Sequence, residues 1–318
     1  MNLAHLHLLL NHVPTIGTIL GLGLLLVAVA GKSQDLTRAS LVVFFGIALL
    51  SLPTYVTGTA AQEAICVAKA GEPCADTAVS RGLIETHESA AFVALGFVEL
   101  TGAVAWLGLW QFRRLARLPD SSLALVLVLA LATFALMARA ATMGGEIRHP
   151  EIRWGPEIAA AGKPLARQIG SLLAGGAPWM WPASETLHFI GLCLLFGIVL
   201  LVDLRMLGLM KSAPFPPLHK LLPWAMLGFG VNVTTGMLFF VGAPPEFYVT
   251  NPVFFWKLGL ILLAGANALY FTMFNETWVL GPGEDAPLRS KAIALSAIFL
   301  WVGVIFCGHM LPFIGNAF

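Results

Sequence analysis

SETLHFIGLCLLFGIVLLVDLRMLG (184–208) carries no formally charged residue between Glu185 and Asp203. At about 1.5 Å per residue, such a run is long enough to cross a hydrocarbon core roughly 30 Å thick, and it reads as a membrane-spanning helix over 183–210. Working outward from it, further apolar runs lie at approximately 10–31, 39–60, 84–112, 121–143, 222–242, 254–275 and 291–315. Lipid offers the backbone no hydrogen-bond partner, so runs of this length fold as helices, and the expected class is an all-α integral membrane protein. Composition agrees. Of 318 residues, 58% are hydrophobic and 11% charged, too few polar side chains to cover a soluble globule of this size. The first run has no basic stretch before it and no small-residue cleavage pattern after it, and His12 and Pro14 open it, so it reads as a retained span. A net charge of +1 without a polybasic run leaves no nucleic-acid footprint.

Basic residues follow alternate spans: Lys32 and Arg38; Arg113, Arg114 and Arg117; Arg205, Lys211 and Lys220; Arg289 and Lys291. The positive-inside rule puts these in the cytoplasm, so both termini face outward, into the periplasm if the chain sits in a bacterial inner membrane. Cys66 and Cys74 fall in the outward connection 61–83, where an oxidising compartment would allow a disulfide, whereas Cys193 and Cys307 lie inside spans. Two antiparallel four-helix bundles are expected, over 1–143 and 183–318, joined by an outward-facing segment 144–182 rich in Gly, Pro and Ala.

With the spans alternating, His12, His87, His149, His188 and His309 all fall on the outward side. His188 and His309 lie about one or two turns inside the boundary, at matched depth on the first and last helices of the second bundle. Two imidazoles so placed could be the axial ligands of a b-type haem. His12 and His87, at the starts of the first and third spans, form a second possible pair, with His5, His7 and His149 as further candidates. The same four residues, His12, His87, His188 and His309, are the candidate ligands for a metal ion without a porphyrin. No CxxCH occurs, which excludes covalent c-type haem attachment. His219, among prolines on the inner side, reads as solvated.

Other ionisable groups gather at the same boundary. Arg139, in the outer part of the fourth span, needs an anionic partner, for which Glu88, Glu146 or a haem propionate would serve. GGEIRHPEIR (144–153) delivers Glu146, Arg148, His149, Glu151 and Arg153 just outside the membrane, and Glu63 ends the second span on the same surface. Glu99 is near the middle of the third span, eleven residues from Glu88 and on the same helix face, which suggests a proton path; a hydrogen bond to another helix is the structural alternative. Asp203 and Arg205 read as a local ion pair. Trp179, Trp181 and Trp256 form an interfacial belt that could also wall a quinone cleft.

LHLLLNHVPTIG (6–17), TYVTGTAAQEA (54–64) and IETHESAA (84–91) resemble bacterial predicted membrane proteins whose reaction is not defined, and SETLHFIGLCLLFGIVLLVDLRMLG with NPVFFWKLGL (251–260) resembles another such membrane domain. The layout of histidines is similar in architecture to membrane b-type cytochromes. The paired histidines thirteen or fourteen residues apart that the cytochrome b of quinol–cytochrome c oxidoreductases uses are missing here, which argues against two stacked haems spanning the bilayer. The expected function is electron transfer near the outer face, from membrane quinol through haem b to a periplasmic carrier or respiratory partner subunit, with Glu88, Glu146 or Glu99 releasing protons. Two other classes remain open: a divalent-metal-binding or transport protein, and a non-catalytic scaffold subunit of a respiratory complex.

Overall fold

The computed structural model describes residues 3–66, 74, 81–148, 165–176, 179–243, 245–274 and 276–314. Among these residues all regular structure is helical, as expected. The helices are α1 (Leu3–Leu10), α2 (His12–Ala30), α3 (Gln34–Ile65), α4 (Arg81–Leu115), α5 (Asp120–Arg148), α6 (Leu165–Gly175), α7 (Met180–Met206), α8 (Phe215–His219), α9 (Leu222–Gly242), α10 (Pro245–Val249), α11 (Pro252–Phe274) and α12 (Leu288–Met310). Eight stretches are long and apolar enough to cross a membrane, and the chain is a multi-pass membrane protein.

Several helices outrun the apolar stretches that announce them. The first span begins at Leu3 rather than near residue 10. Its hydrogen-bond ladder lapses at Asn11, between α1 and α2, because Pro14 has no N–H to give the Leu10 carbonyl. His5 and His7 therefore lie on helix within the span, and His12 sits deeper than its opening turn. The 35 residues of α4 extend for about 52 Å, more than the bilayer core requires, so its ends carry Arg81, Glu85, Arg113 and Arg114.

The chain divides into two compact units, Met1–Gly108 with Leu118–Leu172, and Leu109–Arg117 with Leu173–Phe318. In the first, α2 packs on α3 and α5, and α1 packs on α3. Small residues set these approaches, as lipid supplies no hydrophobic drive between helices. A Cβ added at Gly102 on α4 would fall 2.3 Å from the Ala48 Cβ on α3, and one at Gly21 on α2 would fall 2.8 Å from the Phe44 ring. The Thr101 and Thr133 hydroxyls, 2.8 Å apart, tie α4 to α5. A disulfide joins Cys66 to Cys74, and Cys74 is buried with Leu83, Ile84 and Ile147.

Gly102→Val is expected to force α3 and α4 apart at a cost of about 1–3 kcal/mol. Thermal unfolding in detergent should register it, against Gly96→Ala, where a Cβ meets nothing within 4 Å and no loss is expected.

In the second unit α7 packs on α9 and α12, and α11 packs on α12. The backbones of α7 and α9 touch at a glycine pair: a Cβ at Gly228 would lie 2.7 Å from the Gly191 carbonyl oxygen. Trp110, near the end of α4, belongs to this unit and donates from Nε1 to the His219 carbonyl at 3.0 Å.

Candidate functional site

Two histidines of the first unit share one local arrangement. His7 on α1 donates from Nδ1 to the Thr54 carbonyl of α3 at 2.9 Å. Four residues further along α3, Gly58 leaves the space the ring fills: a Cβ there would lie 3.2 Å from His7 Cε1. His87 on α4 donates from Nδ1 to the Ala140 carbonyl of α5, also at 2.9 Å. Again a glycine four residues on, Gly144, makes the room, since a Cβ would stand 3.0 Å from His87 Cε1. A carbonyl only accepts, so Nδ1 carries the proton on both rings and Nε2 presents a lone pair.

A polar cluster on α4 flanks His87 in sequence, in the unit that carries Cys66. Arg81 binds Glu85 at 3.2 Å, and Arg167 of α6 reaches Glu88 at 3.5 Å and Glu85 at 4.0 Å. The Leu165 N–H donates to Ser89 Oγ at 3.2 Å, fixing the start of α6 against α4. Tyr55, on α3, packs on Phe92 of α4 with ring centroids 5.9 Å apart.

The other sequence candidates are placed differently. His12 and His5 are exposed. Arg139 is exposed and forms no ion pair among the described residues, and the expected partner Glu88 is engaged by Arg167 instead. Glu146 is half-buried near the end of α5 and Glu63 is exposed at the end of α3. Glu99 has its Oε1 enclosed and without a hydrogen bond, so the expected bond to another helix is not made through that oxygen. His149 and the stretch through Arg153 lie outside the described residues.

In the second unit, His188 of α7 is half-buried, with Nδ1 2.7 Å from Thr235 Oγ1 on α9 and its ring beside Phe239 at 5.4 Å. His309 is exposed, its ring 5.7 Å from that of Phe313. No hydrogen bond or ring contact joins the two among the described residues. Lys257 of α11 lies against α12, where a Cβ at Gly308 would be 3.4 Å from its Nζ. Sequence reading passed over Lys257 within NPVFFWKLGL, although a lysine inside an apolar span is itself the signal.

The opposite end of this unit corrects two expectations. Asp203 and Arg205 do not pair: Asp203 Oδ2 makes no hydrogen bond, while Arg205, fully buried, donates to the carbonyls of Ala213, Gly281 and Glu284. Residues two apart on a helix point to different sides, which the spacing already implied. His219 is buried rather than solvated, its ring 4.4 Å from Trp278 and 5.8 Å from Trp110. The short helix α8, opened by its prolines, turns it inward.

Beside this end, Asp285 accepts from Lys291 at 2.8 Å and faces Lys211 at 3.2 Å. The Lys291 hydrogen bond and then that of Lys211 hold its carboxyl below the usual aspartate range. A carboxylate with a depressed folded value adds stability above its unfolded value of about 3.9 and loses it as pH falls through the lower folded one. Stability should therefore fall on acidification below about pH 4, and Asp285→Asn should flatten that part of the curve, read as detergent-solubilised melting temperature against pH.

No family model, no curated protein and no solved structure matches the chain. The class defined by its own helices is that of a multi-pass helical membrane protein.

Proposed function

We propose that the chain is a membrane b-type cytochrome in which His7 and His87 would hold a haem b. The observation that carries this reading is the matched bracing of the two rings: each Nδ1 is bound to a carbonyl of a neighbouring helix, each ring is seated on a glycine, and each Nε2 is left as a lone pair. Fixing one ring nitrogen to a backbone carbonyl is how a ligating histidine is oriented and made more basic. The number of ligands favours haem over a bare ion. Haem iron takes two axial groups, whereas protein zinc sites use three or four side chains, and among the described residues no group of three or more His, Cys, Asp or Glu is placed to share a metal ion.

His7 replaces His12 in the pair, because His12 faces outward from the bundle. When bound, haem supplies one-electron chemistry, and the residues of this chain do the rest. Arg81 and Arg167, now bound to Glu85 and Glu88, would exchange those carboxylates for the propionates, which would leave Glu85 and Glu88 to exchange protons. The Cys66–Cys74 disulfide at this end supports an oxidising, outward-facing side, the periplasm of a bacterial inner membrane, with both termini on it. On this reading the protein takes electrons from quinol within the membrane and passes them to a periplasmic carrier or respiratory partner subunit.

The test is a dithionite-reduced minus oxidised visible spectrum of the purified protein, with pyridine haemochrome quantification. One b-type haem per chain is expected. A colourless protein from haem-replete cells would sink the reading.

A further inference from the structure

Basic residues at one membrane boundary of the second unit form a site that the haem pair does not touch. Arg113 and Arg114 lie in the last turn of α4, and α8 is followed by Lys220 just before α9 begins. The two elements are locked together here. Trp110 donates from Nε1 to the His219 carbonyl at 3.0 Å and stacks on the His219 ring, with centroids 5.8 Å apart and planes 22° from parallel. The Arg114 guanidinium lies over the Trp110 ring at 5.3 Å. Lys220 follows His219 directly, and its N–H closes the turn on the Pro217 carbonyl at 3.1 Å. The Trp110–His219 stack thus carries a cation from each element. Arg114 and Lys220 are exposed, and among the described residues their side chains make no hydrogen bond or ion pair. Arg113 is turned to α11, where it donates to the Met273 carbonyl at 3.4 Å. The segment that meets α8 through the Phe215 N–H and the Leu280 carbonyl has its acids engaged elsewhere: Asp285 with Lys291 and Lys211, and Glu284 Oε2 with the Gly281 N–H at 2.7 Å.

We propose that Arg114 and Lys220 bind the phosphate of an anionic phospholipid. The guanidinium fork matches two phosphate oxygens at once, and the ammonium adds a second positive charge beside it. Basic residues gathered at the end of membrane helices are the setting in which such headgroups are held, and tryptophan is the residue type that sits at headgroup level. Leu115, directly after Arg114, and Trp224, four residues after Lys220, are both exposed, so acyl chains meet apolar surface beside the phosphate. A soluble phosphate gains nothing from that surface. A zwitterionic phosphatidylcholine brings its own quaternary ammonium toward the same two cations, which disfavours it. The bound lipid would fasten the end of α4 to the connection between α8 and α9, and a ligand that binds only the folded chain stabilises it.

The experiment titrates dioleoylphosphatidylglycerol or dioleoylphosphatidylcholine into the full-length protein in detergent micelles and counts bound lipid by native mass spectrometry. Saturable binding of phosphatidylglycerol, tighter than that of phosphatidylcholine, is expected. Arg114→Gln and Lys220→Gln should each weaken it about fivefold. Arg117→Gln removes the same charge from an exposed position three residues beyond Arg114 and should leave the affinity at the wild-type level. All three side chains are exposed, so folding is retained, as gel filtration should confirm. Unsaturable binding, equal affinity for the two lipids, or unchanged affinity in both Arg114→Gln and Lys220→Gln overturns the proposal. An equal loss in Arg117→Gln overturns it too, because the attraction would then belong to a diffuse basic surface. Displacement of the bound phosphatidylglycerol by inorganic phosphate would assign the position to a soluble anion and overturn the lipid. Haem content enters none of these outcomes, so this site and the cytochrome reading stand or fall separately.

Discussion

His7→Ala and His87→Ala should each remove most of the haem b absorbance from the purified protein, while His12→Ala and His309→Ala leave it at the wild-type level. Each of the first two deletes an Nε2 that a neighbouring helix holds in place through Nδ1, at 2.9 Å in both cases. His12 and His309 are exposed and have no such brace. Loss of an outer-shell brace of this kind typically costs 10–100-fold in affinity for a ligated metal, and loss of the ligand itself more. Gly144→Val gives an independent check. A Cβ at that position would press on His87 from 3.0 Å, so haem content should fall although the substitution removes no ligand. Haem per chain by pyridine haemochrome decides the matter, and full occupancy in both His7→Ala and His87→Ala would rule the pair out.

Arg205→Leu is expected to cause the largest loss of stability of any single substitution considered. The guanidinium is fully buried, lies over the Phe215 ring at 4.5 Å, and donates to Ala213 on one connecting segment and to Gly281 and Glu284 on another, the latter two at 3.1 Å. Its removal leaves three carbonyls short of a donor, each at a cost of about 1–3 kcal/mol. Arg205→Lys should recover little, because an ammonium lacks the planar fork that reaches several acceptors at once. Asp203→Asn, by contrast, breaks no ion pair with Arg205 and should be mild. The comparison is made by thermal unfolding in detergent, and a melting point for Arg205→Leu equal to that of the wild type would disprove the clamp.

By itself the sequence determined the class, the eight spans and their alternation, because length and apolarity alone decide what can lie in a bilayer. It also marked Cys66 and Cys74 as able to pair, and it gathered the histidines toward the ends of spans. Only the tertiary structure decided which histidine faces protein. His7 and His12 are five residues apart, about 140° around the helix, so at most one can face α3. In a soluble helix the apolar stripe would reveal the inward face, but in lipid both faces are apolar and the pattern falls silent. The same silence hid the glycine seats at Gly58 and Gly144, which matter only once a neighbouring ring is beside them. Lys257 stood in plain view as a lone charge in an apolar run, but its seat against Gly308 depends on a helix distant in sequence. Arg205, likewise, could be seen as a charge at the end of a span, whereas the carbonyls it serves lie up to 79 residues away, at a distance that only folding closes.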